Sequence, residues 1–270
     1  MSDHETANQA KKPRYNKQAP QPTTASASAS ASTMAEDQSE TKKAILQQFT
    51  KYRDTLDSHY DQRERVIKTS RDITALSKKM VFTLLRITQE PAAKVFKEVE
   101  DKNTAVLSLF SRLSKDIQGS DAYKYSCHAT HGLQEYIEAL GLWVFLRDNK
   151  LITKGQVEEM LASKGARVLV TDGDYVLGIS DLPGEVNRYC INAIGKGDRK
   201  AVENSLVFLR ALREGINLLV CSGRIKDLHK KLDVLESSLE KTEKTYYSMS
   251  IRQSEMAVVN EQNKGVMAAD

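Results

Sequence analysis

Four carboxylates in two short motifs are the residues in this chain best placed to do chemistry. Glu135 and Glu138 lie in Gly132-Leu-Gln-Glu-Tyr-Ile-Glu-Ala139, and Asp181 and Glu185 lie in Asp181-Leu-Pro-Gly-Glu-Val-Asn-Arg188. Spacings of three and four put each pair on one side of a helix. Two such pairs facing each other would form an all-oxygen cage. Cages of that kind hold hard divalent cations, and such cations serve phosphodiester cleavage.

The neighbours of each pair sharpen this reading. On a wheel of about 100° per residue, Leu133, Tyr136, Ile137, Leu140 and Val144 form one apolar stripe, with Glu135 and Glu138 opposite. The acidic side also carries His131, Leu142 and Phe145, so this helix is expected to be buried on both sides near its end. Buried carboxylates need a cation or a proton, because desolvating their charge is costly. In the second motif Val176, Ile179, Leu182, Val186 and Cys190 form the stripe, while Asp181, Glu185, Arg188 and Asn192 share another face. Arg188 is a candidate phosphate ligand, since a guanidinium donates two parallel hydrogen bonds. The plainer alternative is a solvated face in which Arg188 pairs with Glu185 at the surface. Pro183 complicates the second pair, because a proline inside a helix removes a backbone hydrogen bond; a kink there would aim Asp181 inward.

Other chemistries find less support. His131 stands one turn before Glu135, as a ligand, a proton shuttle or an ordinary helix histidine, and no Glu-x-x-His di-iron signature occurs. Gly195-Lys-Gly-Asp198 lacks the spacing of a phosphate loop, and no nucleophile elbow is present. Cys127, Cys190 and Cys221 are scattered and without a CxxC, which suits a reducing compartment better than a zinc or disulfide scaffold. Arg63, Arg65, Lys68, Arg71, Lys78 and Lys79 make one long segment basic. Such a helix either tracks phosphates or is a solvated face partnered by Glu64 and Asp72.

The elements that must position these groups read as helices. The body has only Pro91 and Pro183 and few glycines, so the turn punctuation of a strand-rich fold is missing. Residues 1–38, with the Ala-Ser repeat from Ala25 to Ser32, are expected to be a disordered tail. Lys11-Lys12-Pro13-Arg14 within it is a candidate nuclear import signal. Residues 39–258 are expected to form one helical domain, and 259–270 a frayed end. A very long first helix runs over about Glu40 to Glu90, and a second opens at Pro91. A third follows Gly119-Ser120, and a short fourth is capped by Thr153. Arg167 to Val170 reads as a lone extended segment. A fifth helix, capped by Asp174, is expected to reach Ile194, and a sixth starts from Asp198. A seventh carries the heptad seam Ile225, Leu228, Leu232, Leu235 and Leu239, read as internal packing rather than a coiled-coil dimer. The net charge of +4 permits nucleic-acid binding without demanding it, and no apolar run reaches the ~18 residues of a membrane span.

Three stretches together resemble the translin family, in its translin-associated factor X branch. They are Arg63-Glu-Arg-Val-Ile-Lys-Thr-Ser-Arg-Asp-Ile-Thr74, Gly132 to Ala139, and Asp174 to Arg188 continuing through Cys190-Ile-Asn192 to Gly197-Asp198. A weaker likeness returns over Tyr246 to Glu255. The resemblance implies an all-α bundle of about seven helices with a long N-terminal helix, assembled with translin into a hetero-octamer. It implies a Mg²⁺-dependent endoribonuclease of single-stranded RNA, acting in passenger-strand removal in RNA silencing and in transfer-RNA precursor fragment processing, in cytoplasm and nucleus. The catalytic, metal-holding acids then fall on Glu135, Glu138, Asp181 and Glu185, and Mn²⁺ would substitute for Mg²⁺ because it favours the same oxygen ligands. Glu138 or Glu185 is the candidate to accept a proton from the attacking water. Arg188, Arg65, Lys68 and Arg71 are the candidate phosphate contacts. Pro183 departs from the helix-compatible residue usual at its position. The competing functions are a non-catalytic nucleic-acid-binding scaffold that stabilises translin, and a ferritin-like redox bundle.

Overall fold

The structure, a computed structural model, describes residues 30–267. Every regular element among them is helical. The order is α1 (Ser30–Leu85), a 3₁₀ turn (Arg86–Thr88), α2 (Ala92–Asp116), α3 (Ser120–Asp148), α4 (Lys154–Ala162), α5 (Asp172–Ile179), α6 (Leu182–Ile194), α7 (Arg199–Val220) and α8 (Leu228–Met267). The basic tetrapeptide Lys11 to Arg14 lies outside the described residues. So does the tail expected over 1–38, as far as residue 29. From Ser30 that stretch already belongs to α1, since residues 30–38 contain no glycine or proline to break a helix. Likewise α8 continues to Met267, into the stretch 259–270 expected to fray.

The chain divides between Leu56 and Asp57. In the first unit Ile45, Leu46, Phe49, Tyr52 and Leu56 are all exposed. The second unit contains the core. There the periodic apolar positions of α1 (Val66, Ile73, Met80 and Leu84) are fully buried together with Val95, Val99, Val106 and Phe110 of α2. Tyr136 of α3 stacks near Phe110 with ring centroids 5.1 Å apart. Its hydroxyl donates to Asn103 Oδ1 at 2.7 Å, which satisfies the one polar atom this large ring brings inside.

Three local features decide where the acids stand. First, the helix expected to run from Asp174 to Ile194 is two helices, α5 and α6, so the described residues hold eight α-helices, in keeping with a bundle of about seven. The break falls at Ser180–Asp181, just before Pro183, and places the proline in the first turn of α6. A first-turn residue has no intrahelical partner for its N–H, so Pro183 removes no bond there. Second, the cap of α5 is Thr171 rather than Asp174: Thr171 Oγ1 accepts from the Asp174 N–H at 3.0 Å. Asp174 sits three residues on and is buried, with Gln134 Nε2 donating to it from α3 at 3.0 Å. Third, α3 meets its neighbours at glycines. A Cβ on Gly132 would stand 2.8 Å from the Ser70 carbonyl oxygen, and one on Gly178 would stand 2.8 Å from that of Gln134.

The remaining expectations fare simply. Thr153 caps α4 in a reciprocal box with Gln156, and Asp198 caps α7 by accepting from the Ala201 N–H at 3.0 Å. Residues 166–170 form neither a helix nor a paired strand. Of the seam, Leu228, Leu235 and Leu239 are buried against the same core, and α8 packs on α6 and α7. The seam is therefore used within the chain. Cys127, Cys190 and Cys221 are all free thiols, and no described helix is long and apolar enough to cross a membrane.

Candidate active site

The two acid pairs approach each other because α3 packs on both α5 and α6. The contact is close: Gly141 of α3 leaves room for Leu182 and Ile179, whose side chains would be 3.2 and 3.3 Å from a Cβ at that position. Burial of Leu142 and Phe145 as well as Tyr136, Ile137 and Leu140 shows that α3 is covered on both sides. Its acids are thus held at the edge of the core, as the wheel suggested. Glu135 is 15% exposed and Glu185 17%, whereas Asp181, at the start of α6, is 39% exposed.

Each of three acids faces a basic side chain. Lys78 of α1 lies 3.0 Å from Glu135 Oε1, and His131 Nε2 lies 3.6 Å from the same oxygen. Lys231 of α8 pairs with Asp181 Oδ1. Arg188 Nη1 stands 3.3 Å from Glu185 Oε2. That last distance is ionic, yet Glu185 Oε2 is buried and accepts no hydrogen bond, so its lone pairs are poorly used. The Lys78 ammonium is held above its ordinary value, first by the hydrogen bond to Glu135 and then by its charge.

Glu138 is different. It is partly buried and has no ion-pair partner among the described residues. Burial, then the charges of Asp181, Glu135 and Glu185, push its carboxyl up to about 8, against a smaller opposing effect from Lys231. These repulsions mean that all four acids share one electrostatic neighbourhood. Burial also raises Glu185, with Arg188 opposing and Glu135 adding to the rise. At neutral pH, then, Glu138 is largely uncharged, and the other three carboxylates face Lys78, Lys231 and Arg188.

The donor set suits a hard cation, since it is all oxygen and includes one buried carboxylate oxygen without a hydrogen bond. It is not drawn together as a finished cage: among the described residues no three His, Cys, Asp or Glu side chains converge closely enough to hold one metal ion.

The basic candidates separate. Arg65 is committed to Asp116, with Nη2 3.1 Å from Oδ1, and Arg63 donates to His128 at 3.2 Å. Lys68 and Arg71 are exposed and have no ion pair among the described residues. Arg188 is half exposed at the rim of the acid cluster. Sequence alone does not mark two residues of the site: Lys78 groups only with the basic run of α1, and Lys231 belongs to the polar side of the α8 seam. Their contact partners lie far away along the chain, so no spacing signals the pairing.

The bundle and its acid cluster define a helical, acid-lined protein of the translin type, and comparison with known proteins agrees. The translin-family profile matches residues 61–253, and the chain belongs to that family. It is 32% identical over 234 residues to translin-associated protein X of Rattus norvegicus, covering 78% of this chain and 80% of that protein. It is 28% identical to the homologue of that protein in Schizosaccharomyces pombe over 219 residues, covering 79% and 92%. Among solved structures, apo-NeC3PO superposes with a TM-score of 0.58 at 21% identity, covering 73% of this chain and 96% of that one. AfC3PO gives 0.58 at 22% identity, with coverage of 76% and 98%, and its complex with duplex RNA gives 0.55 at 21% identity, with coverage of 76% and 97%.

Proposed function

We propose that this chain is the catalytic subunit of a metal-dependent endoribonuclease that cleaves single-stranded RNA within a hetero-octamer with translin. The observation that carries the reading is the meeting of four carboxylates from α3 and the start of α6, one of them without a basic ion-pair partner among the described residues, at the edge of a helical core. That one fold neighbour was solved as a complex with duplex RNA supports a nucleic-acid ligand.

Glu135, Glu138, Asp181 and Glu185 would hold Mg²⁺, with Mn²⁺ as substitute. When bound, such an ion polarises the phosphoryl oxygen and makes water a stronger nucleophile. The chain's own groups do the rest. Glu138, which burial and its acidic neighbours favour in the proton-bearing form, must release its proton to become a ligand or base. Arg188 is close enough to Glu185 to stay ordered and exposed enough to reach a non-bridging phosphate oxygen. Lys68 and Arg71 of α1, without an ion pair among the described residues, extend the positive surface along which a strand would lie. Cleavage of nicked passenger strands or of transfer-RNA precursor fragments, in cytoplasm and nucleus, fits this activity.

One observation favours the scaffold reading instead: three of the four acids already have basic partners, as structural acids would. Single-stranded RNA incubated with the co-purified chain and translin, with and without Mg²⁺, separates the two. Wild type is expected to cut only with the metal, and Glu138→Gln to lose at least about 100-fold in rate. Equal cutting by the two proteins would exclude the catalytic assignment.

A further inference from the structure

The two lysines at the acid cluster come from opposite ends of the fold. Lys78 reaches Glu135 from α1, and Lys231 reaches Asp181 from α8. Neither is a neighbour along one helix, unlike the exposed Lys244–Glu240 pair, so each depends on tertiary packing for its place. Lys231 is also the more enclosed, 29% exposed against 54% for Lys78. Both act electrostatically on more than one acid: Lys231 on Asp181 and Glu138, and Lys78 on Glu135, Glu138 and Asp181.

An ammonium group is a compact hard cation that binds through the same carboxylate oxygens a divalent ion needs. Two cations cannot share those oxygens without strong repulsion in a partly desolvated site. We propose that Lys231 and Lys78 are built-in counter-cations that occupy the acid cluster until a divalent ion displaces them, so that Lys231 above all sets the metal concentration at which the site fills. This rests on the acid set being the metal site. The failure of any three acids to converge fits the same arrangement, since Glu135 and Asp181 are each paired with a lysine. The unbranched stem of lysine lets the charge swing out to water while its methylenes stay packed. Displacement therefore requires no movement of α1 or α8.

Titration of the purified full-length chain with Mn²⁺ alone, followed by the electron paramagnetic resonance of the free ion, tests this without reference to cleavage. Lys231→Met is expected to bind Mn²⁺ about tenfold more tightly than wild type, as a pair between the surface and buried limits implies. Lys78→Met should gain less, because Lys78 itself is the more exposed of the two lysines. Lys231→Arg should stay near wild type, since it restores the charge. A lysine that merely ties α8 to α6 would lower the melting temperature on substitution and leave Mn²⁺ affinity unmoved. Asp181→Asn and Glu138→Gln are the controls and are expected to lose the ion. If they bind Mn²⁺ as wild type does, or if no variant binds it, the acids are not the metal site and both readings fall. If the controls lose the ion while Lys231→Met and Lys78→Met match or weaken wild-type affinity, only the lysine inference is overturned.

Discussion

The two acid pairs have similar spacing but are held in different ways. Glu135 and Glu138 stand in the middle of the uninterrupted helix α3, flanked by Tyr136, Ile137 and Leu140, all completely buried. Their backbone can move only if the core moves. Asp181 and Glu185 straddle the start of α6, after a break, and are placed partly by the polar contacts of Lys231 and Arg188. Asp181 keeps a helical backbone, at φ −87° and ψ −20°, so the face predicted from spacing survives the break. One side of the cluster is carried by an unbroken helix, the wall, and the other by a helix start after a break, the jaw, which Leu182 and Val186 anchor in the core. Under the proposed function the site would take an ion, a strand and a water, and one side of each kind would serve it.

Shortening or lengthening the acids probes this contrast most strongly. Glu138→Asp withdraws a ligand from a wall that cannot follow, and the metal-dependent cleavage rate is expected to fall about 100-fold. Asp181→Glu alters the adjustable side by the same single methylene and should cost only about tenfold. Equal losses in single-turnover assays would erase the distinction between wall and jaw.

The wall also has a stability signature in the metal-free chain. Glu138 has an ordinary value of 4.5 and is pushed up to about 8 in the fold. Between those values the folded chain holds a proton that the unfolded chain has released. Stability should therefore fall as pH rises through that window and level off above about 8. Glu185, raised mainly by burial, contributes in the same direction. Glu138→Gln removes the larger part of this slope, and at pH 8 should melt at least about 3 °C above wild type. Parallel melting curves for the two proteins across pH 5 to 8 would show that Glu138 is solvated after all.

The smallest effect is expected at Pro183. Because it sits in the first turn of α6, Pro183→Ala should change stability by less than about 1 kcal/mol in chemical denaturation. A large loss would mean that the proline itself, rather than the junction before it, fixes the second pair.

Much of this was legible in the sequence because it is local. The four acids, the caps Thr153 and Asp198, the double-sided burial of α3 and the internal use of the α8 seam all follow from spacing and residue type. What was not legible depends on contacts between distant segments. Thr171 and Asp174 both have side chains able to cap α5, and the choice is fixed by Gln134 of α3 reaching Asp174. The stripe from Val176 to Cys190 keeps its phase through Ser180 and Asp181, so periodicity hid the break that makes two helices of one. Lys78 and Lys231 look like any solvated lysines until α1 and α8 are folded against the site.

Gly132 and Gly178 give the fold an unusual vulnerability. By helix propensity alone, alanine would improve either position by about 1 kcal/mol, and the change would leave hydropathy and charge untouched. Yet the added methyl would meet carbonyl oxygens of neighbouring helices at 2.8 Å, which backbone cannot yield cheaply. At Gly178 the obstruction is the carbonyl of Gln134, the residue immediately before Glu135. A substitution that any consensus-minded engineer would count as benign would thus wedge α5 away from α3, widening the gap between the acid pairs without altering a single charged residue.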